Sequence, residues 1–201
     1  MQKVTVEEHY DLLIQENNDP VNDPPVLQNY MNKWDGQSFI DSLELDSNDN
    51  LLEIGVGTGR LAKIVLDIGC GHFTGIDISS ATIARAKDNL NEWKNTSLIC
   101  GDFISYAFHQ TFDTIYSSLT LFHFKDKAAF IRKVAGLLSA KGRVVLSVPK
   151  EKEDSITYGS REIELYPDDI DELKTLLINN GLAIHSVIEV DFAHIIVAEN
   201  A

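Results

Sequence analysis

The sequence has no apolar run near the roughly 20 residues that a bilayer-spanning helix needs. Its first residues, Met-Gln-Lys-Val-Thr-Val-Glu-Glu, carry no apolar signal core. Both absences point away from a membrane partner and towards a cytoplasmic protein. Cysteine is scarce: Cys70 and Cys100 are the only two, and their spacing does not suit a metal. They read as free thiols in a reducing compartment, and no metal site is expected. Positive charge is short as well, with 17 Lys and Arg against 31 Asp and Glu and a net charge of −14. A field of that sign repels phosphate backbones and disfavours a nucleic-acid substrate. Internal repeats and low-complexity tracts are also missing.

What is present is ordinary for a globular chain: 201 residues, 44% hydrophobic and 24% charged. That length suits one full core with room for a small cap. Helical spacing over residues 4 to 16 puts Val6, Tyr10, Leu13 and Ile14 near one face. The proline-rich stretch 17 to 25 then forces a loop. A second helical pattern covers 26 to 44, with a break expected near Gly36. Asp46-Ser-Asn-Asp reads as a turn.

The chain is organised around residues 50 to 60, Asn-Leu-Leu-Glu-Ile-Gly-Val-Gly-Thr-Gly-Arg. Leu51, Leu52 and Ile54 form a short buried strand that stops at Gly55, Gly57 and Gly59, and a helical pattern follows. Strand, glycine turn and helix in that order suit a nucleotide-cofactor loop, because backbone without Cβ atoms can approach a ligand closely. The dinucleotide fingerprint G-x-G-x-x-G is not met, since the third glycine stands at 59 and Arg60 follows. Glu53 sits in the apolar strand, where a charge is expensive to bury without a partner.

From residue 50 strands and helices alternate. Strands are expected at 50–54, 73–77, 97–101, 112–118 and 143–148, with helices at 59–68, 79–92 and 126–139 and a short helical piece near 103–109. Ser79 or Ser80 can cap the second of these helices, and Gly69 follows the first. Repeated β-α units imply a doubly wound, mostly parallel sheet with helices on both faces. The ending differs: after a helix at 168–180, two strand patterns at 182–190 and 193–199 are joined by only Asp191 and Phe192. So short a link requires an antiparallel hairpin.

Ligands of doubly wound sheets lie beyond the carboxyl ends of the strands, and those ends here are acidic. Asp77 closes the second strand, 20 residues after Gly57, where an acid can accept bonds from ribose hydroxyls. Asp102 follows the third, next to Phe103, an aromatic suited to lie against a purine. The fourth ends in Ser117-Ser118-Leu119 and runs on into Thr120-Leu121-Phe122-His123-Phe124.

Taken together, these segments resemble the class I S-adenosylmethionine-dependent methyltransferases. The matching pieces are residues 51–60, Gly-Ile-Asp-Ile-Ser (75–79), Cys-Gly-Asp-Phe (100–103) and residues 112–124, so the resemblance runs from about 45 to 200. It implies a seven-stranded sheet in the order 3-2-1-4-5-7-6 with the seventh strand antiparallel, and S-adenosylmethionine as cofactor. It places the methionine part of the cofactor over Gly55, Gly57 and Gly59, with Glu53 close by. Asp77 is put at the ribose, with Ile78 a further cofactor contact, Asp102 and Phe103 at the adenine, and Ser118 and Leu119 beneath the sulfonium. The Asn/Asp-Pro-Pro-Tyr/Phe tetrapeptide of many base and glutamine methylators is missing, and no cysteine stands near to carry a methyl group.

The function expected is therefore methyl transfer to a small-molecule acceptor, with His123 as candidate base and His9 and Tyr10 behind it. The acceptor pocket is expected from Tyr10, Tyr30, Trp34, Phe122 and Tyr158. Residues 149–166 are too polar for core and read as a loop or lid. Residues 1–44 would form an N-terminal helical cap over a methyltransferase core at 45–201. Two other functions are weighed: a non-catalytic S-adenosylmethionine-binding protein, and an NAD-dependent oxidoreductase, which Arg60 argues against.

Overall fold

The chain opens on a short strand, β1 (Gln2–Lys3), and three helices, α1 (Val6–Gln15), α2 (Pro25–Met31) and α3 (Gly36–Ser42). The computed structural model describes residues 1–200. Thr5 starts α1 through a capping box with Glu8, and Pro25 occupies the first turn of α2, where its missing N–H loses no bond. The expected break falls at Gly36, whose φ of 67° lies in the left-handed region.

Alternation then begins with β2 (Asn50–Ile54), α4 (Arg60–Ile68), β3 (His72–Asp77), α5 (Ser80–Asn89), β4 (Thr96–Cys100) and β5 (Phe112–Ser117). It continues through a 3₁₀ turn at Leu121–His123, α6 (Lys127–Leu137) and β6 (Leu138–Pro149). After β7 (Ser155–Tyr158) and β8 (Arg161–Glu164) come α7 (Ile170–Asn179) and the closing hairpin of β9 (Leu182–Glu189) and β10 (Ala193–Asn200). The main sheet has the order β4-β3-β2-β5-β6-β10-β9, with β10 antiparallel to both neighbours and the remaining pairs parallel. Counted over its own seven strands, that is 3-2-1-4-5-7-6, the order implied by the resemblance.

Period-two alternation divides each strand between two cores. Leu52 and Ile54 of β2, Val144 and Leu146 of β6 and Ile196 of β10 meet α6 and α7 through Phe130, Ile131, Leu173 and Leu177. Leu51, Val145, Ile195 and Val197 face the other way, onto Phe39, Leu61, Val65 and Ile83 of α3, α4 and α5. Each fully buried side chain of this kind contributes roughly 1.5–3 kcal/mol. Ser79 caps α5 by accepting from Thr82 N–H at 3.0 Å, and Gly69 ends α4 at φ 111°.

Two expectations fail. Residues 103–109 form a turn and an irregular run, not a helix, because the Asp102 carboxylate takes the Ile104 and Ser105 N–H groups at 3.2 and 3.0 Å. Phe103 and Phe108 are instead anchored side by side, 6.1 Å between ring centroids. Nor is 149–166 simply a loop or lid: β7 and β8 pair antiparallel, and β8 adds β1 in parallel. Arg161, Ile163 and Leu165 alternate inward, and the charges that made the stretch look wholly polar occupy outward positions such as Glu164. No helix among the described residues is long and apolar enough to cross a membrane. Both cysteines are free, Cys70 buried and Cys100 exposed.

Candidate active site

Because β2, β3, β4 and β5 run parallel, their carboxyl ends meet at one edge, and a cavity of about 330 Å³ opens there. That volume lies within the range of small-molecule sites. Glu53, Gly55, Gly57, Asp77, Ile78, Asp102, Phe103, Ser118 and Leu119 all line it, as do Tyr10 and His123. Gly59 stands just outside the lining, where its φ of 97° turns the chain into α4.

The floor is the glycine loop. Gly55 and Gly57 have φ values of 77° and 56°, and the N–H groups of Gly55 and Val56 both donate to Ile76 O, at 2.8 and 3.2 Å. A Cβ on Gly55 would lie 2.1 Å from the Thr120 hydroxyl oxygen, whereas one on Gly57 would meet nothing within 4 Å. The first glycine is therefore required by packing and the second leaves space open above the loop.

Glu53 is 3% exposed and accepts from the Tyr116 hydroxyl at 3.0 Å, the two being register partners on β2 and β5. Burial pushes its carboxyl up to about 8 despite that bond and the nearby Arg60 charge, so at neutral pH the proton stays on it. The partner that the sequence demanded is a phenol. Asp77 is also raised by burial, opposed by the backbone N–H groups of Ser79 and Gly57, which donate to its two oxygens at 3.0 Å each. Asp102 caps its own turn at the cavity wall, and Phe103 is buried among Phe108, Phe124 and Phe130.

At the opposite wall Ser118 donates to Asp35 at 2.8 Å and Leu119 holds a left-handed φ of 54°. Such a conformation costs a branched side chain about 1–3 kcal/mol, and it falls at the cleft. Thr120 Oγ1 donates back to Ser118 O at 3.0 Å across that residue. Beyond it His123 Nε2 pairs with the Tyr10 hydroxyl at 3.0 Å, and its Nδ1 is buried without a partner. Burial, then the His9 and Lys127 charges, bring His123 down to about 4, so its ring is neutral at physiological pH. Burial and then Asp77 raise the Tyr10 phenol, which keeps its proton. Lys127 secures this turn by donating to Leu121 O and Tyr166 O at 2.7 and 2.8 Å while paired with buried Asp168 at 2.6 Å.

Four aromatics expected at the acceptor pocket do not line the cavity. Tyr30 and Trp34 pack against Phe192 at the tip of the closing hairpin, with centroids 5.8 and 4.7 Å from it, because Lys33 O accepts the Phe192 N–H at 2.9 Å and holds the segment there. Tyr158 lies over the Arg161 guanidinium at 4.8 Å, outside the lining. Phe122 packs on the His123 ring at 4.6 Å without joining the lining. His9 likewise turns away, accepting from Arg161 Nε at 2.9 Å. Residues that sequence reasoning passed over include Val6, Pro20 and Met31, which cover the cavity, and Arg60, the one Lys or Arg side chain in its lining. Arg60 donates to Asp35 through both Nη1, at 3.2 Å, and Nη2.

Comparison with known proteins agrees with this geometry. Residues 52–146 match the methyltransferase domain family. Over 113 residues, 55% of the chain, the sequence is 33% identical to malonyl-[acyl-carrier protein] O-methyltransferase of Acetivibrio thermocellus, and the match covers 40% of that protein. The chain thus spans less than half the length of that relative. Among solved structures, an S-adenosylmethionine-dependent methyltransferase from Listeria monocytogenes superposes at a TM-score of 0.75 and 17% identity, over 84% of this chain and 97% of that one. Magnesium protoporphyrin IX methyltransferase from Synechocystis PCC 6803, solved with bound SAH, gives 0.74 at 17% identity over 98% of each chain, so the N-terminal helices are matched too. Strand order, glycine loop and the matched segment give the chain the fold of the class I S-adenosylmethionine-dependent methyltransferases, with residues 52–146 matching the methyltransferase domain.

Proposed function

We propose that the cavity binds S-adenosylmethionine and that the protein transfers its methyl group to a small, uncharged acceptor bearing a hydroxyl. The observation that carries the cofactor reading is the convergence of Glu53, the open face of Gly57, Asp77 and Asp102 on one cavity. Asp77 would hold the ribose hydroxyls, the wall of Asp102, Phe103 and Ile78 the adenine, and the glycine loop the methionine part. Bound there, the cofactor supplies a methyl group on a sulfonium, a leaving group that needs no further activation. The chain's task is then alignment and exclusion of water, worth at most roughly 7–11 kcal/mol.

The acceptor is proposed to enter between Tyr10, Met31, Leu119, Thr120, His123 and Phe124. No carboxylate or cation stands among these residues, so a charged group would be desolvated there without a partner. A neutral His123 can take a hydroxyl proton, and Tyr10 orients its ring through the 3.0 Å bond. His123→Ala should lower kcat by roughly 10²–10⁴-fold. Since the ring is already neutral above about pH 4, the wild-type profile should show no acid limb near 6.5. Full turnover by the alanine variant at every pH would remove the base.

The cofactor is tested by thermal shift with S-adenosylmethionine, S-adenosylhomocysteine and NAD in parallel. A ligand at 100 times its dissociation constant adds about 2.7 kcal/mol, a rise of roughly 5–11 °C for a chain of this size. Shifts with the first two and none with NAD are expected. A shift with NAD alone would overturn the assignment. Binding followed by no S-adenosylhomocysteine release across a panel of phenols, enols and alcohols would favour a non-catalytic binding protein.

A further inference from the structure

The N-terminal segment reaches the cleft through three aspartates, and each ends on a residue that adjoins the cofactor surface. Asp11 accepts from Ser79 Oγ at 2.6 Å and Ala81 N–H at 3.0 Å, next to Asp77. Buried Asp19 accepts from Arg85 at 3.1 Å and from Asn89 at 3.2 Å, and Asn89 also donates to Thr58 O in the glycine loop at 3.0 Å. Asp35 is the most enclosed, 1% exposed, and takes bonds from Arg60 twice, from Ser118 at 2.8 Å and from its own neighbour Gly36 N–H at 2.7 Å. Arg60 begins α4 directly after the glycine loop, and Ser118 follows β5 on the opposite wall. One carboxylate outside the sheet therefore clasps both walls of the cleft.

We propose that Asp35 is a positioning residue for the cofactor: by holding Arg60 and Ser118 together it sets the width of the cleft, so that cofactor binding and seating of the N-terminal segment are one coupled event. This rests on the cofactor reading given above. Arg60 supplies the lining's single guanidinium, and a bidentate carboxylate is what fixes the plane of a guanidinium. Ser118 is fixed at the same time, next to Leu119, whose backbone lies in the left-handed region. Without Asp35, the guanidinium and the serine hydroxyl would be free to separate, and the methionine end of the cleft would lose its defined width. A simple staple would affect stability alone; a positioning group affects affinity.

The test compares Asp35→Asn and Asp35→Glu with Glu16→Gln, which loosens the same segment where Glu16 pairs with Arg161 at 2.6 Å, outside the cavity lining. S-adenosylhomocysteine binding is read by calorimetry, melting temperature in its absence, and cleavage in the 17–25 loop by limited proteolysis with and without it. Both Asp35 variants should weaken binding tenfold or more, with the KM for S-adenosylmethionine rising in step and kcat at saturation within threefold. Ligand protection of the loop should also be lost. Glu16→Gln should lower the melting temperature and leave the dissociation constant unchanged. Asp35 variants that bind within twofold of wild type overturn the proposal, as does equal weakening by Glu16→Gln. If Asp35→Asn does not fold, Asp35→Glu, which keeps the charge but displaces the guanidinium, decides by the same criterion. Wild-type protein that binds no S-adenosylhomocysteine overturns the cofactor reading together with this one.

Discussion

Gly55→Ala should unfold the protein at a markedly lower temperature and abolish cofactor binding together. The new Cβ would stand 2.1, 2.5 and 2.8 Å from three atoms of Thr120, a short β-branched side chain that cannot swing its far end away. The φ of 77° adds about 1–2 kcal/mol for any residue with a Cβ, and overpacking adds about 1–3 kcal/mol. A total of about 3 kcal/mol lowers the melting temperature by roughly 6–12 °C at this chain length. Relief can come only by moving the 118–123 loop, which carries Ser118 and His123, or the glycine loop itself. Gly57→Ala provides the contrast, because its Cβ meets nothing within 4 Å. It should lose cofactor affinity with a much smaller fall in melting temperature. If Gly57→Ala proved the more destabilising of the two, the packing account of the loop would be wrong.

Asp77→Ala should weaken S-adenosylhomocysteine binding by about 100-fold or more. Each hydrogen bond to a charged group contributes about 1.5–3 kcal/mol, and two ribose hydroxyls held by this one carboxylate, as proposed, would bring the loss to about 3 kcal/mol or above. The same carboxylate now holds the Gly57 and Ser79 N–H groups at 3.0 Å, so its removal also loosens the glycine loop from β3. The KM for the cofactor should rise far more than kcat falls, since binding to the ribose is the same before and during transfer. Calorimetry that returned a dissociation constant within threefold of wild type would place the ribose elsewhere.

The legible parts of this molecule are those in which local pattern and tertiary burial agree. Strand 50–54 is legible in three apolar residues and a glycine stop, and β2 covers those same residues because it is buried on both faces. The acidic strand ends could be gathered in advance because parallel strands must finish at one edge. By contrast, 103–109 has aromatics at helical spacing, yet Asp102 diverts its N–H groups into a turn. Strands β7 and β8 were hidden by their outward charges. The cavity cover is hard to read for a different reason: Tyr30 and Trp34 share the segment of Met31, but only the path after Pro24-Pro25 decides which side chain meets the cleft and which meets Phe192. Nothing in the spacing of Asp35, Arg60 and Ser118 announces that they converge.

The N-terminal ties also carry a consequence for how the chain is made. His9 waits for Arg161, 152 residues downstream, and Asp35 waits for Ser118, 83 residues downstream. The glycine loop itself pairs sooner, through the Gly55 and Val56 N–H groups on Ile76 O. The N-terminal segment precedes the main sheet in the chain, yet it can be fully seated only after β8 has emerged.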